Sequence, residues 1–249
     1  MGVVNVTPDS FSDGGRWLDR EAAIAHGRRL IDEGAAIIDI GGESTRPAAE
    51  AVDERTETDR VVPVVEALAG QVRVSIDTTK AAVAEAAVRA GATIINDVSA
   101  SLHEVAAALG AGWIAMHMRG TPRTMQDDPT YADVVREVTD FLVERAETGR
   151  AAGVEEIWLD PGIGFGKTAA HNLSLLRHVP TLAGAGWSVA VGASRKGFLG
   201  TLTGGAPPED RLEASLAVAT WAMLRGAAVV RVHDVAQTVR AARLVGATG

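Results

Sequence analysis

Eight short apolar runs, separated by longer stretches of helical character, repeat along the whole chain. The runs are rich in β-branched residues and favour strands, whereas the stretches between them are rich in Ala, Leu, Glu and Arg and favour helices. The runs lie at Val3–Val4, Ile37–Ile38, Val72–Ile76, Ile94–Ile95, Trp113–Met116, Ile157–Leu159, Val189–Val191 and Val229–Val230. Strands that alternate with helices pair in parallel through right-handed crossovers. A doubly wound sheet could hold these strands, but eight of them in 249 residues favour a (β/α)8 TIM barrel.

One helical stretch and four glycines give the clearest boundaries. Between about 208 and 225 the apolar side chains recur at helical spacing, which predicts a helix. These side chains are Leu212, Leu216, Ala219 and Met223. Glycines that follow a helical run and precede a strand are typical of helix C-caps. They stand at Gly34, Gly91, Gly153 and Gly226. No linker-like composition divides the chain, so residues 1–249 are predicted to form one domain.

The charge of the chain narrows its possible partners. The formal net charge is −8, and acidic and basic residues are interleaved without a basic stripe, which argues against nucleic-acid binding. An acidic protein binds an anion only through a local cluster of cations, so a small pocket is predicted. The absence of cysteine excludes disulfides, thiol chemistry and Cys-based zinc sites. No leader-like or membrane-length apolar segment is present, so we expect a cytoplasmic protein without membrane contact.

Polar residues stand at the end of every predicted strand. They are Asn5, Asp39, Asp77, Asn96–Asp97, His117, Asp160, Ser194–Arg195–Lys196, and Arg231 with His233. In a TIM barrel the carboxyl ends of the strands build the active site. One such residue alone would mark only where its strand stops. Eight strand ends out of eight predict a site on this face.

Two pairs of these residues suggest specific chemistry. Arg231 and His233 are two positions apart, so an extended segment presents both on one side, which favours a shared anion such as phosphate. Asp77 and Asp160 are candidate hydrogen-bond acceptors, but an Asp before a helix is also a common N-cap. Capping is a stronger rival explanation for Asp77, which precedes Thr78–Lys80, than for Asp160, which precedes a proline.

The stretch LDPGIGFGKT at 159–168 ends like a phosphate-binding P-loop. Such a loop needs Gly-x4-Gly-Lys-Ser/Thr after a strand, because its backbone N–H groups wrap the phosphates. Gly166, Lys167 and Thr168 match the end of the pattern. Pro161 replaces the first glycine and has no N–H to donate. The mismatch argues against a nucleotide-hydrolysing site but does not exclude one.

Eight motifs are spread along the chain from Met1 to about Ala247: MGVVNVTPDSFSDGG at 1–15, IIDIGGESTRP at 37–47, VSIDTTK at 74–80, TIINDVS at 93–99, MHMRGTPRTMQ at 116–126, LDPGIGFGKT at 159–168, GASRKGFLG at 192–200 and VVRVHDV at 229–235. Through them the chain resembles the dihydropteroate synthases, a family of folate biosynthesis. Each motif alone is weak, but together and in this order they are highly specific.

The resemblance implies a pterin-binding transferase with a TIM barrel fold. Its reaction would condense 6-hydroxymethyl-7,8-dihydropterin pyrophosphate with p-aminobenzoate to give 7,8-dihydropteroate and pyrophosphate. It further implies a magnesium ion, Mg2+, as cofactor, a cytoplasmic homodimer, and inhibition by sulfonamides, because Thr45 and Pro47 match the susceptible pattern.

The resemblance also assigns residues to each ligand. The pterin would contact Asp77, Asn96, Met116, Asp160, Phe165, Gly192 and Lys196. The p-aminobenzoate would contact Phe11, Thr45, Pro47, Phe165 and Ser194. The pyrophosphate would contact Asn5, Thr45, Arg46, Arg231 and His233, with Asn5 also a ligand of Mg2+. The residues implied in catalysis are Asp77, Lys196, Arg46, Arg231 and His233. The role of Arg195 stays open, because it could belong to the site or form a structural ion pair.

Three readings compete with the synthase. A non-catalytic pterin-binding paralogue would be expected to have degenerate segments at Thr7–Gly15 or Gly41–Pro47, and both are intact. A methyltetrahydrofolate methyltransferase-like barrel shares pterin recognition by Asp and Asn but has no use for Arg231 and His233. The P-loop hydrolase ranks last. The sequence therefore favours the synthase.

Overall fold

The structure, a computed structural model, describes residues 1–7, 15–44, 51–121 and 124–246, with the side chains of 15–19 excepted. Eight strands form one sheet in sequence order, each parallel to the next. They are β1 (Gly2–Asn5), β2 (Ile37–Gly41), β3 (Arg73–Asp77), β4 (Ile94–Asp97), β5 (Gly112–Met116), β6 (Ile157–Asp160), β7 (Ser188–Val191) and β8 (Val229–Val230).

The two outer strands of this sheet meet and close it into a barrel. The Val3 amide donates to the carbonyl of Val232 at 3.2 Å, and the Val232 amide donates to the carbonyl of Met1 at 2.9 Å. Sequential strand order together with this closure confirms the predicted TIM barrel. The doubly wound alternative is wrong, because it requires a reversal of strand order and two open edges.

Helices connect the strands and cover the outside of the barrel. They are α1 (Gly15–Asp32), α2 (Glu54–Leu68), α3 (Ala81–Arg89), α4 (His103–Leu109), α5 (Val134–Ala152), α6 (Ala169–Arg177), α7 (Val179–Gly184), α8 (Gly197–Leu202), α9 (Leu212–Leu224) and α10 (Val235–Gly246). Two helices follow β6 and two follow β7. No helix in the described ranges is long and apolar enough to cross a membrane.

The helix predicted between about 208 and 225 is shorter in the structure. Pro208–Asp210 forms a 3₁₀ turn, and α9 begins only at Leu212. Arg211 interrupts the helix with φ −112° and ψ 22°, and its guanidinium donates to the carbonyls of Ala206 and Arg195 at 2.7 and 2.9 Å. Arg211 thus anchors the segment that follows β7. The four predicted C-cap glycines all have φ between 94° and 114°, which confirms their role.

The apolar core lies in two places. The larger part fills the space between the sheet and the helices, and the smaller part fills the barrel interior. The interior part contains Ile37, Ile94, Ile114, Trp158 and Ala190. Side chains alternate along a strand, so the residue two positions further faces the same way. Above this apolar floor therefore stand Asp39, Asn96, Met116, Asp160 and Gly192, at the carboxyl end of the barrel.

Candidate active site

Asp39 lies at the bottom of the barrel mouth and is fully buried. The expectation that it ends its strand is wrong, because Ile40 and Gly41 continue β2 and pair with β1 and β3. The Asp39 side chain nevertheless points into the barrel, because side chains alternate between the two faces of a strand. No ligand role was predicted for Asp39. The available signal was a charged residue inside a strand that is otherwise apolar, since such residues are rarely buried without a partner.

Arg231 joins three strands through two carboxylates. Its Nε donates to Asp39 Oδ2 at 2.6 Å, and its Nη2 donates to Asp77 Oδ2 at 2.9 Å. Asn96 Nδ2 donates to the same Asp39 oxygen at 3.1 Å. The predicted residues Asp77, Asn96 and Arg231 are therefore brought together, and Asp39 is the group that connects them.

Burial sets the protonation behaviour of this network. Burial raises the pKa of Asp77 well above its usual range, against the opposing charge of Arg231 and with a further rise from Asp39. Burial acts to lower the pKa of Arg231, but Asp39 and Asp77 outweigh it and hold that pKa above its usual value. Arg231 stays charged at every accessible pH.

Helix capping explains neither Asp77 nor Asp160. Helix α3 starts at Ala81, and its preceding residue is Lys80, while Asp77 accepts from Arg231 instead. Asp160 Oδ1 accepts from the Gly162 amide at 2.7 Å and so closes a tight turn directly after β6. Helix α6 is capped by Thr168. The capping alternative is therefore wrong for both carboxylates.

Lys196 follows β7 and lies close enough to Asp160, at the end of the neighbouring strand β6, for their charges to interact. Its ammonium donates to the Ile163 carbonyl and lies 4.4 Å from the centre of the Phe165 ring. Burial lowers the pKa of Lys196 to about 8, with Asp160 opposing and Arg231 reinforcing the shift. Burial raises the pKa of Asp160, and the charge of Lys196 opposes that rise. Two groups of opposite charge thus lie together at the carboxyl ends of β6 and β7.

Gly192 leaves room beside Asp160 and Arg231. A Cβ atom at this position would lie 3.7 Å from Asp160 Oδ2 and 3.7 Å from the Cδ atom of Arg231. Any longer side chain would therefore enter the gap between these two groups. Met116, on the other side of Asp160, is buried and pairs with it in register across β5 and β6.

The segment 161–168 is not a P-loop. Gly162, Gly164 and Gly166 have φ values of 64°, 85° and 63°, a region that favours glycine. A Cβ at Gly162 would collide with the His117 carbonyl, so this glycine permits close packing against the end of β5. Lys167 is only 3% exposed and donates to groups of the protein itself. The lysine of a P-loop must reach phosphate, so the nucleotide-hydrolase alternative is wrong.

Ser194 links the end of β7 to the segment after β8. Its Oγ lies 3.1 Å from His233 Nδ1, and it accepts from the His233 amide at 3.3 Å. Arg195, left open above, is resolved as a structural residue, because its guanidinium donates to Asp234 at 2.6 and 3.1 Å. Its left-handed backbone, with φ of 59°, turns the chain so that Ser194 and Lys196 face the mouth from one short segment.

Asn5 and His233 share a cavity of about 360 Å³ beside α1. Among the residues that the structure describes, no group of three or more His, Cys, Asp or Glu side chains could hold a metal ion. A single neutral amide at Asn5 fits only a weakly held Mg2+, which keeps its waters and takes most other ligands from substrate phosphates. The donor set therefore fits a metal that arrives with its substrate.

Lys80 fastens the segment after β2 to the rest of the barrel. Its ammonium lies 2.5 Å from Glu43 and 2.5 Å from Glu57, which is fully buried. Glu43 also accepts at 2.9 Å from the amide of Val52, which comes after residues 45–50 in the sequence. None of these three residues was predicted, because only the fold brings them together. The predicted residues Phe11, Thr45, Arg46 and Pro47 lie outside the described residues.

Comparisons with known proteins show the family of the chain. The family model described as pterin binding enzyme matches residues 1–233. The dihydropteroate synthase of Mycobacterium leprae is 47% identical, over 99% of this chain and 92% of that protein.

Two solved structures extend the agreement to three dimensions. The Xanthomonas albilineans enzyme with 4-aminobenzoic acid has 48% identity and a TM-score of 0.93, over 100% of this chain and 92% of that one. The Yersinia pestis enzyme in complex with a sulfonamide drug has 46% identity and a TM-score of 0.93, over 100% and 93% of the two chains. The chain belongs to the pterin binding enzyme family and, within it, to the dihydropteroate synthases.

Proposed function

We propose that this barrel condenses 6-hydroxymethyl-7,8-dihydropterin pyrophosphate with p-aminobenzoate, giving 7,8-dihydropteroate and pyrophosphate. The observation that carries the proposal is the convergence of Asp160, Asn96, Asp77, Lys196 and Arg231 at the carboxyl end of the barrel, above its apolar floor. The names of the relatives support it, as does the 4-aminobenzoic acid in the Xanthomonas albilineans structure.

Asp160 is the main recognition group for the pterin ring. The amino-pyrimidine edge of a pterin presents an N–H and an NH2 side by side, and an ionised carboxylate can accept from both. The bond from the Gly162 amide fixes the orientation of that carboxylate. Asn96 and Asp77 complete the recognition, and Lys196 donates to the carbonyl and N5 side of the ring. Met116 and Gly192 shape the space around it.

The second substrate binds at the edge of the same mouth. Phe165, beneath the Lys196 ammonium, faces the junction between the pterin and the aryl amine. Ser194, held to His233, lies beside p-aminobenzoate. Phe11, Thr45 and Pro47 complete this pocket, as the resemblance implies.

The chemical step breaks a C–O bond and forms a C–N bond. The electron pair of the C–O bond leaves with pyrophosphate, and the electron-rich dihydropterin stabilises the resulting cation. The neutral amine then attacks, and its proton passes to solvent or pyrophosphate. The Asp77 carboxylate stabilises the cation electrostatically. No covalent nucleophile is required, which suits a chain without cysteine.

The leaving pyrophosphate is bound by Arg231, His233 and Arg46. Arg231 uses two of its five N–H donors on Asp39 and Asp77, and these bonds orient the remaining donors for phosphate. Mg2+, held in part by Asn5, would add positive charge to the pyrophosphate oxygens as negative charge develops there. The positive charge of the two arginines lowers the cost of C–O cleavage.

A direct assay tests the proposed function. The purified chain with Mg2+ and dihydropterin pyrophosphate is expected to form dihydropteroate, together with pyrophosphate, when p-aminobenzoate is added. An excess of sulfamethoxazole is expected to suppress the product, in keeping with the sulfonamide complex of the Yersinia pestis enzyme. Binding of the pterin substrate without product would instead identify a non-catalytic pterin-binding paralogue.

Lys196 gives the reaction an expected alkaline limit. Its ammonium, which faces Asp160, Asp77 and Arg231, has a pKa lowered to about 8. Deprotonation removes a donor and a charge from the pterin site, so kcat/KM should fall as the pH rises through about 8. The measurement is kcat/KM for the pterin substrate between about pH 6 and 10, with Lys196→Arg as the comparison. Arginine keeps its charge, so the decline should move to higher pH; an unchanged decline would assign it to another group.

We further propose that the protein works as a cytoplasmic homodimer. This proposal rests on the resemblance to the synthases alone. Sedimentation of the purified chain at several concentrations would test the dimer, and a monomer at assay concentration would contradict it.

A further inference from the structure

Lys167 has no part in the chemistry described above, yet it is among the most deeply buried charged residues of the described chain. Its side chain is 3% exposed, and its ammonium has three acceptors. It lies 3.0 Å from His117 Nδ1, and it donates to the His117 carbonyl at 3.2 Å and to the Phe165 carbonyl at 2.9 Å. An ammonium has three N–H groups, so each one has a place in the protein.

All three of these acceptors are neutral. Burial, together with the nearby charge of Lys167, lowers the pKa of His117 to about 3, so the imidazole is neutral and can accept at Nδ1. Burial also lowers the pKa of Lys167 to about 7, although the charge of Asp160 opposes the shift. Holding an ammonium here is therefore costly. A methionine would fill the same space more cheaply, so packing alone does not account for a lysine.

The bonds of Lys167 fix the turn that carries two predicted ligand contacts. The Phe165 amide donates to the Gly162 carbonyl at 3.0 Å, and the Phe165 carbonyl is held by Lys167. A Cβ at Gly162 would lie 3.4 Å from the Lys167 nitrogen, so that nitrogen is directly behind the turn. The same turn orients Asp160 through the Gly162 amide and places the Phe165 ring under Lys196.

Other side chains hold the same segment from its outer side. Gln126 donates to the Gly164 carbonyl at 2.6 Å, and the Tyr131 hydroxyl donates to the Gly166 carbonyl at 2.9 Å. These carbonyls do not belong to the residues that orient Asp160 or carry the aromatic ring. Tyr131 therefore offers a matched comparison, because Tyr131→Phe removes one hydrogen bond to the segment and keeps the ring.

We propose that Lys167 is a positioning residue for substrate recognition, which ties the Gly162–Phe165 turn to the end of β5 and so fixes both the Asp160 carboxylate and the Phe165 ring. The inference rests on the proposed function and deepens it. It also gives a role to the lysine of the segment that resembles a P-loop: the ammonium binds carbonyl oxygens of its own loop, and the opposite face of that loop meets the ligand.

The test compares Lys167→Met with Tyr131→Phe in the full chain. The affinity for 6-hydroxymethylpterin, which has no leaving group, is measured by calorimetry, and KM and kcat are measured for p-aminobenzoate. In Lys167→Met the dissociation constant for the pterin and the KM for p-aminobenzoate should each rise by about ten-fold or more, because a small misplacement of ligating groups has large effects. In Tyr131→Phe both should change by less than about three-fold.

Thermal unfolding establishes that each variant is folded at the assay temperature. A folded Lys167→Met protein with unchanged pterin affinity and unchanged KM would overturn the proposal and leave Lys167 a purely structural residue. If Lys167→Met does not fold, Lys167→Gln carries the test, because its amide ends one bond short of the ammonium and cannot hold all three acceptors; unchanged affinity there would also overturn the proposal. Absence of dihydropteroate with the unsubstituted chain would count against the proposed function itself, whereas the pterin affinities would still decide the role of Lys167.

Discussion

Arg231→Leu is expected to lower the free energy of unfolding by about 3 kcal/mol and to reduce kcat/KM by about a thousandfold or more. The stability is lost because the carboxylates of Asp39, fully buried, and Asp77 would face each other without the guanidinium that bridges them. Activity is lost because the same guanidinium binds the leaving pyrophosphate in the proposed reaction. Urea unfolding and steady-state kinetics measure the two losses separately.

The double variant Asp39→Asn, Arg231→Leu separates these effects. A neutral amide at position 39 removes the uncompensated charge, so most of the stability should return while activity stays low. Arg73→Leu is the matched control, since its partner Glu156 is 48% exposed and the pair should contribute less than about 1 kcal/mol. A single Arg231→Leu variant with full stability would show that the bridge between Asp39 and Asp77 is dispensable.

Asp160→Asn is expected to reduce kcat/KM for the pterin substrate by about a thousandfold or more with little change in stability. One oxygen of Asp160 accepts from the Gly162 amide, and the proposed function has the carboxylate accept from the pterin edge. An asparagine has only one oxygen. Whichever way its amide is turned, an NH2 group opposes an N–H of either Gly162 or the ligand. Direct titration with 6-hydroxymethylpterin would show whether the loss is in binding.

Asp97→Asn should show the opposite pattern and serves as the control. Asp97 also ends a strand, but its oxygens accept from the amides of Ser99, Ser101 and Leu102 and from the Trp113 indole. It is fully buried within these bonds. We therefore expect Asp97→Asn to lose stability and to keep the pterin affinity of the folded protein. Equal loss of affinity in both variants would contradict the distinction between a ligand-binding and a structural carboxylate.

The local pattern of the sequence was sufficient for the barrel. Strand and helix periods of 2 and about 3.6 residues are properties of neighbouring positions, so the alternation could be recognised without knowing any long-range contact. The position of Asn96, Asp160 and Arg231 at strand ends predicted that they meet at one end of the barrel. The sequence motifs, through their resemblance to the synthases, supplied the reaction and most of the candidate ligands.

Contacts between distant strands were decided only by tertiary structure. Asp39 and Arg231 are 192 residues apart, and only closure of the barrel joins β2 to the residue after β8. For the same reason, the sequence left Arg195 open and could not distinguish Asp97, which holds a turn, from Asp160. The Gly166–Lys167–Thr168 motif shows the limit most clearly. Whether its lysine reaches a phosphate or its own loop depends on where His117 lies, and folding alone brings that residue, 50 positions away, to the ammonium.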